Sequence, residues 1–233
     1  MIKTLLWDLD GTILDFNVAE YNAIKALFKE FGFGEISDDD IKRYSVLNEG
    51  FWERLERCEI TKEEVLVGRF REFFKTMGID PGFAKEFNDR YQLALGDTII
   101  FRDDSLNILK SLKGKVPQFL VTNGTLKAQE KKVGRSGIGE VLDDVFVSEK
   151  IGADKPNKGF FDAVFEKIGP VNKDEVVIIG DSLSSDILGG MNAGIKTCWY
   201  NPKGLKKKPE YKVDYEIKDL HEIYHILEEE TNA

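Results

Sequence analysis

Residues 2–12, Ile2-Lys3-Thr4-Leu5-Leu6-Trp7-Asp8-Leu9-Asp10-Gly11-Thr12, open the chain with a short apolar run that stops at two carboxylates and a glycine. The part from Ile2 to Trp7 has the length and the branched or aromatic content of a buried strand. Further runs of the same kind are Val116 to Val121, Val145 to Val147, Val176 to Ile179 and Thr197 to Tyr200. Helical patterns separate most of them, and strands alternating with helices imply a parallel, doubly wound α/β sheet. In such sheets ligands gather at the carboxyl ends of the strands, so Asp8 and Asp10 fall where chemistry is expected.

The strand pattern stops after this first run. From Asn17 to about Leu95 the sequence reads as amphipathic helix. Ile24, Leu27, Phe28 and Phe31 recur at helical spacing behind Asn17, which the pattern offers as a cap with Glu20 completing a capping box. Thr61 with Glu64 is a second such start, leading into Leu66, Phe70, Phe73, Phe74 and Met77. Weaker helices are expected from Asp38 to Arg57 and from Pro81 to Ala94. The expected division is therefore a core of residues 1–16 and 96–233 with a four-helix insert of residues 17–95. Two chain crossings close together would let the insert swing as a lid.

Composition sets the outer bounds. A chain of 233 residues with 42% hydrophobic and 32% charged content has the make-up of a globular protein able to bury a sizeable core. No run approaches the roughly 18 apolar residues of a membrane span, and a cytoplasmic protein is expected. The net charge of -9 argues against nucleic acid or an anionic membrane as main partner. Lys206, Lys207 and Lys208, set among Pro202, Gly204 and Pro209, read as a solvated loop. Cys58 and Cys198 have no partner pattern and are expected to be plain thiols. His221 and His225 have an i, i+4 spacing that suits either a metal or an ordinary helix surface.

Three more strand ends carry reactive side chains. Val121-Thr122-Asn123-Gly124 offers a hydroxyl, an amide and backbone N–H groups where a helix begins, which suits either an anion cradle or a simple helix cap. Lys155-Pro156 follows Gly152-Ala153-Asp154, and proline in the first turn of a helix would fix the direction in which the lysine is aimed. Gly180-Asp181-Ser182-Leu183-Ser184-Ser185-Asp186 adds one carboxylate at a strand end and another in the next helix. Hard oxygen donors of this kind suit Mg²⁺. The Asp8 and Asp10 pair on its own would equally fit a turn.

Taken in order, these four sites resemble the four signature motifs of the haloacid dehalogenase superfamily. The likeness covers the core from Ile2 to Leu14 and from Phe101 to Leu220. The insert is similar to the helical cap of that superfamily's first cap class. The resemblance implies a Rossmann-like core and a Mg²⁺-dependent phosphatase. In it Asp8 is the nucleophile, and Asp10 protonates the leaving alcohol and then deprotonates the attacking water. It implies that the metal rests on Asp8, the Asp10 carbonyl and Asp181. Phosphate would be bound by Thr122, Lys155, the Asn123 N–H and the backbone around Leu9. Asp186 would orient Lys155 or metal-bound water, and Thr12 would brace the loop. Trp7 departs from the phenylalanine common before the nucleophile, and is expected to alter packing behind the site without touching the chemistry.

Residues 180–202 and the Leu14-Asp15-Phe16 exit resemble the branch of noncanonical pyrimidine 5′-nucleotidases. The implied substrate is a nucleoside monophosphate, with Phe16, Phe51 and Trp52 as aromatic candidates for stacking on a base or as cap core. A sugar-phosphate phosphatase, such as one acting on phosphoglycolate, and a phosphomutase are the rivals. Carbon–halogen cleavage would need neither a metal nor Asp10, and a non-catalytic module would not need the whole set. A small phosphorylated partner is expected, with a monomer and a homodimer equally compatible and no organic cofactor called for.

Overall fold

The computed structural model describes residues 1–232, with side chains as far as Glu228. The chain forms two compact units, Met1–Asp15 with the segment from Ile100 onward, and Phe16–Ile99.

The first unit is built on six parallel strands. They are β1 (Thr4–Trp7), β2 (Gln118–Thr122), β3 (Asp144–Val147), β4 (Val176–Gly180), β5 (Lys196–Tyr200) and β6 (Tyr215–Ile217), in the order β3-β2-β1-β4-β5-β6. From β1 the chain builds the sheet in one direction and then, from β4, in the other. This makes the edge around β1 the switch point at which doubly wound sheets take ligands. The register sets Trp7, the end of β1, opposite Leu120 on β2 and Ile179 on β4, so that β2 runs on to Thr122 and β4 to Gly180. Helices α5 (Ser105–Leu112), α6 (Leu126–Ser136), α7 (Ser148–Ile151), α8 (Lys158–Ile168), α9 (Leu188–Ala193) and α10 (Ile223–Asn232) follow the strands. Leu6, Val121 and Ile178 from three neighbouring strands pack with Phe160, Phe161 and Val164 of α8 as part of the core.

One strand reading shifts, and one strand has no reading. Val116 donates its N–H to Leu112 O at 3.2 Å and so lies in the turn that follows α5. The ladder starts where Leu5 N–H meets Pro117 O at 2.9 Å, and β2 therefore runs through Thr122. Strand β6, Tyr-Glu-Ile, has no apolar run to betray it and adds an edge that sequence patterning did not reveal.

Trp7 is 1% exposed, and its indole N–H reaches Gln118 Oε1 at 3.3 Å. The Gln118 amide in turn donates to Leu109 O at 3.0 Å. A buried indole needs such an acceptor, and the neighbouring strand supplies it.

The second unit contains α1 (Phe16–Glu30), α2 (Asp38–Glu56), α3 (Arg69–Met77) and α4 (Ala84–Ala94). Its core is aromatic, with Phe70 centred 4.9 Å from Phe87 and 5.1 Å from Tyr44. Thr61 and Glu64 form the expected reciprocal cap, Glu64 Oε2 accepting from Thr61 N at 2.7 Å and Thr61 Oγ1 from Glu64 N at 3.3 Å. A π-helical turn, Glu64–Gly68, then carries the chain into α3, and its wider spacing buries Val65 rather than Leu66.

The capping box proposed at Asn17 does not form. Helix α1 already starts at Phe16, and Glu20 is 1% exposed, accepting from Ser45 Oγ, Asn48 Nδ2 and Tyr91 OH. Its partners are on other helices, so the carboxylate turns inward. Among the described residues no helix is long and apolar enough to cross a membrane. Cys58 is exposed and Cys198 buried, both as free thiols. Lys206, Lys207 and Lys208 are exposed in the loop between β5 and β6.

Candidate active site

Asp8 follows β1 directly, its N–H donating to Ile179 O at 2.9 Å. The strand end thereby fixes the backbone of a carboxylate that is only 7% exposed. Lys155 Nζ has three protons and three acceptors: Asp8 Oδ1 at 2.7 Å, Asp186 Oδ1 at 2.6 Å and Val121 O at 2.8 Å. Asp186 lies in a π-helical turn, Leu183–Ile187, ahead of α9, and its Oδ2 accepts Ser182 N–H at 3.1 Å. Both Asp186 oxygens are therefore engaged, one with the Lys155 ammonium and the other with the Ser182 N–H.

The lysine is aimed by Asn123 rather than by a helix. Asn123 Oδ1 accepts Lys155 N–H and its Nδ2 donates to Lys155 O, each at 2.8 Å, so one amide grips both sides of the Lys155 backbone. The expectation that Pro156 sits in the first turn of a helix fails. Helix α8 begins at Lys158 with Asn157 as its cap, and the cis Lys155-Pro156 bond lies in the turn before it. Thr125, not Asn123, caps α6, with Oγ1 accepting Ala128 N–H at 3.3 Å.

Asp181 follows β4 and accepts Thr12 Oγ1–H at 3.3 Å, while its carbonyl takes the Trp199 indole N–H at 2.9 Å. Thr12 thus braces the loop through Asp181. Gly11 has φ +97°, and a Cβ there would lie 2.4 Å from Asp181 Oδ2, so the close approach of this loop to β4 requires glycine. Leu9 is fully buried and its carbonyl accepts Leu14 N–H at 2.8 Å.

Asp8, Asp181 and Asp186 each offer a carboxylate oxygen within 4.8 Å of the others. Lys155 is paired with Asp8 and Asp186, and the Arg102 guanidinium acts on Asp181 from farther off, so the three carboxylates still outnumber the cations around them when all are ionised. The electrostatics respond accordingly. Burial pushes Asp8 well above the usual carboxylate range; Lys155 opposes this, but Asp186 and Asp181 add to the rise. Burial alone would depress Lys155, yet Asp186 and Asp8 outweigh it and hold the ammonium above its ordinary range. Water reaches the Asp181 carboxylate, but the protein crowded around it, with Asp186 next in effect, raises it to about 7.

A hard divalent cation relieves such a surplus without a new protein cation. The donor set of carboxylate oxygens, with Asp8 and Asp181 not fully engaged, suits Mg²⁺. Asp186 joins the acidic group geometrically but is already taken up by Lys155 and Ser182.

Asp10 stands apart from this group. Gln129 Nε2 donates to its Oδ2 at 2.7 Å and Lys132 Nζ to its Oδ1 at 2.6 Å. Gln129 Nε2 also reaches Thr122 Oγ1 at 3.0 Å. Sequence reading missed both residues. The available signal was their i, i+3 spacing in the helix that follows Thr122-Asn123-Gly124, with polar groups where a core face was due.

Of the aromatics in the helical unit, Phe51 is 8% exposed and packs on Gly68, Phe16 packs half-buried against that unit's core, and Trp52 is half-buried. His221 is exposed and bonds Asp219 Oδ1 at 2.7 Å, and His225 is exposed.

Comparison with known proteins supports this reading of the core. The haloacid dehalogenase-like hydrolase profile matches residues 5–200. The HAD-hydrolase YfnB of Bacillus subtilis is 38% identical over 99% of this chain and 97% of its own. The crystal structure of YfnB bound to magnesium superposes with a TM-score of 0.92 at 36% identity, covering 97% of this chain and 98% of that one. Pyrimidine 5′-nucleotidase PynA of Streptococcus pneumoniae is 34% identical over 97% of this chain and 95% of its own. Pyrimidine 5′-nucleotidase YjjG of Escherichia coli is 26% identical over 96% of each. The four ordered motifs and these full-length matches together identify the chain as a member of the haloacid dehalogenase-like hydrolase family.

Proposed function

We propose that this hydrolase is a Mg²⁺-dependent phosphomonoesterase that cleaves nucleoside 5′-monophosphates, with pyrimidine nucleotides preferred. The reading rests above all on the buried Asp8 carboxylate, held by Lys155 beside Asp181 at the switch point of the sheet.

Asp8 attacks phosphorus in line with the ester oxygen. The P–O bond to the alcohol breaks as Asp10 delivers a proton to that oxygen, leaving a phosphoryl group on Asp8. Asp10, now a carboxylate, takes a proton from water; the water oxygen bonds to phosphorus, and the acyl phosphate opens to inorganic phosphate and free Asp8. Lys155 keeps Asp8 oriented and contributes positive charge at the transferring group, with Thr122, the Asn123 N–H and the backbone around Leu9 as phosphate contacts. Bound Mg²⁺, held by Asp8, Asp181 and the Asp10 carbonyl, would supply the remaining neutralisation of phosphate charge. Selection among phosphomonoesters is assigned to the helical insert of residues 17–95, with Trp52 within it and Phe16 at its entry as aromatics able to stack on a base.

Phosphate release from a panel of nucleoside monophosphates and sugar phosphates at fixed Mg²⁺, with Asp8→Asn as blank, tests this. Preference for pyrimidine monophosphates is expected. Preference for a sugar phosphate would overturn the substrate, and turnover by Asp8→Asn would overturn the nucleophile.

A further inference from the structure

We propose that Gln129 and Lys132 are positioning residues for Asp10, fixing the direction in which its carboxylate exchanges a proton with the ester oxygen and with water. The inference rests on the phosphatase reading above and deepens it.

Helix α6 brings the two residues onto one face at i, i+3, where both are sealed from solvent at 0% and 2% exposure. Each claims a different Asp10 oxygen, at 2.7 Å from Gln129 and 2.6 Å from Lys132. Two donors on two oxygens define the carboxylate plane, which a single contact would leave free to rotate. Asp10 keeps 22% side-chain exposure and so remains open on the side the donors do not cover.

Two observations argue that this arrangement serves the reaction. Gln129 Oε1 is buried without a hydrogen-bond partner. Turning the amide over would present that oxygen to Asp10 and Thr122, and a carboxylate can only accept, so Asp10 decides the orientation at the cost of an orphaned acceptor. A Cβ on Gly124 would lie 1.7 Å from Gln129 Nε2, so the chain keeps a glycine where this amide passes. The same nitrogen touches Thr122 Oγ1 at 3.0 Å, tying the pose of the acid and base to the strand end assigned to phosphate.

The test exploits the leaving group. A nucleoside or sugar phosphate needs its departing alkoxide protonated, whereas p-nitrophenyl phosphate releases a stable phenolate without help. Gln129→Leu and Lys132→Met are expected to lower kcat/KM for the alkyl ester about 10- to 100-fold while changing it little for p-nitrophenyl phosphate, within the range that general acid catalysis supplies. Asp10→Asn sets the full size of that selective loss. Gly124→Ala, which displaces Gln129, should reproduce it, and Lys132→Arg, which keeps charge and donors, should restore most of it. Circular dichroism at the assay temperature identifies any variant that fails to fold, and the remaining variants then decide the matter.

Equal losses on both substrates, or none, in folded Gln129 and Lys132 variants would overturn the proposal while leaving the phosphatase reading intact. An inactive wild type, or an Asp10→Asn loss that ignores the leaving group, would overturn the reading itself and this inference with it.

Discussion

Both units bury charge, and they do so in opposite ways. In the helical unit Glu20 and Arg69 are each 1% exposed, one carboxylate for one guanidinium. Asn48 joins them, donating to Glu20 Oε1 at 2.8 Å and accepting from Arg69 at 2.6 Å. Asn88 receives Arg69 at 3.2 Å and Gln92 at 2.9 Å, and the guanidinium lies 5.0 Å from the Phe70 ring centre and 5.1 Å from that of Tyr91. Burial raises Glu20, but Ser45, Arg69, Asn48 and Tyr91 all work against the rise. In the sheet unit two of three clustered carboxylates, Asp8 and Asp186, share one lysine, and the third, Asp181, feels only the more distant Arg102. A charge-balanced cluster holds helices together even with Arg69 Nε left unpaired; an unbalanced one calls for a cation or a substrate.

The sharpest way to break this contrast is to remove one negative charge from each cluster. Asp8→Asn should lower kcat by about 10⁴-fold or more, because an amide is a poor nucleophile. Its melting temperature should hold or rise, since Lys155 retains Asp186 and the carboxylate surplus shrinks. Turnover within tenfold of wild type would remove Asp8 from the mechanism.

The same isosteric change in the helical unit should do the reverse. Glu20→Gln leaves Arg69 buried without its counter-charge, with an expected loss of about 3 kcal/mol in urea unfolding. A neutral or stabilising result would show that the amide chain through Asn48, and not charge balance, holds that core.

Divalent cation separates the clusters a third way. Chelation should abolish activity and added Mg²⁺ restore it. Saturating Mg²⁺ should stabilise the protein by up to about 2.7 kcal/mol at a hundred times its dissociation constant. Asp181→Asn should lose most of that thermal shift, whereas Glu20→Gln should keep it. A shift that survives in Asp181→Asn would place the cation elsewhere.

The strand ends were legible because each is an apolar run broken by a polar side chain, and period alone locates them. Asp8, Thr122 and Asp181 were visible for that reason, whereas Lys155 lies past α7 and stood out by the proline that follows it and by its place in the order of motifs. What escaped notice depends on partners remote in sequence. Glu20 looked like a cap residue until Ser45, Asn48 and Tyr91 proved to be its neighbours. Gln129 and Lys132 drew no reading from the sequence, because only tertiary folding puts Asp10 against them. Asn123 offered an N–H to local reasoning, while its side chain reaches 32 residues along the chain to hold Lys155. Strand β6 is held by its neighbour more than by its own composition.

The smallest effect to expect is in the pH dependence of stability. Asp181 rises from an ordinary carboxylate value of 3.8 to about 7 in the folded protein. The native state therefore binds a proton more tightly than the unfolded chain at this position. Its contribution is fully present below pH 3.8 and is lost as pH climbs through about 7. Without Mg²⁺, the difference in unfolding free energy between wild type and Asp181→Asn should drift against the wild type from pH 5 to pH 8. Screening by the water that reaches this carboxylate keeps the drift modest. With Mg²⁺ present the carboxylate is ligated and the drift should disappear or reverse, because the cation binds the charged form. A drift of the same size in both conditions would mean that the proton and the cation do not compete for Asp181, and the charge surplus would then have to be discharged at Asp8.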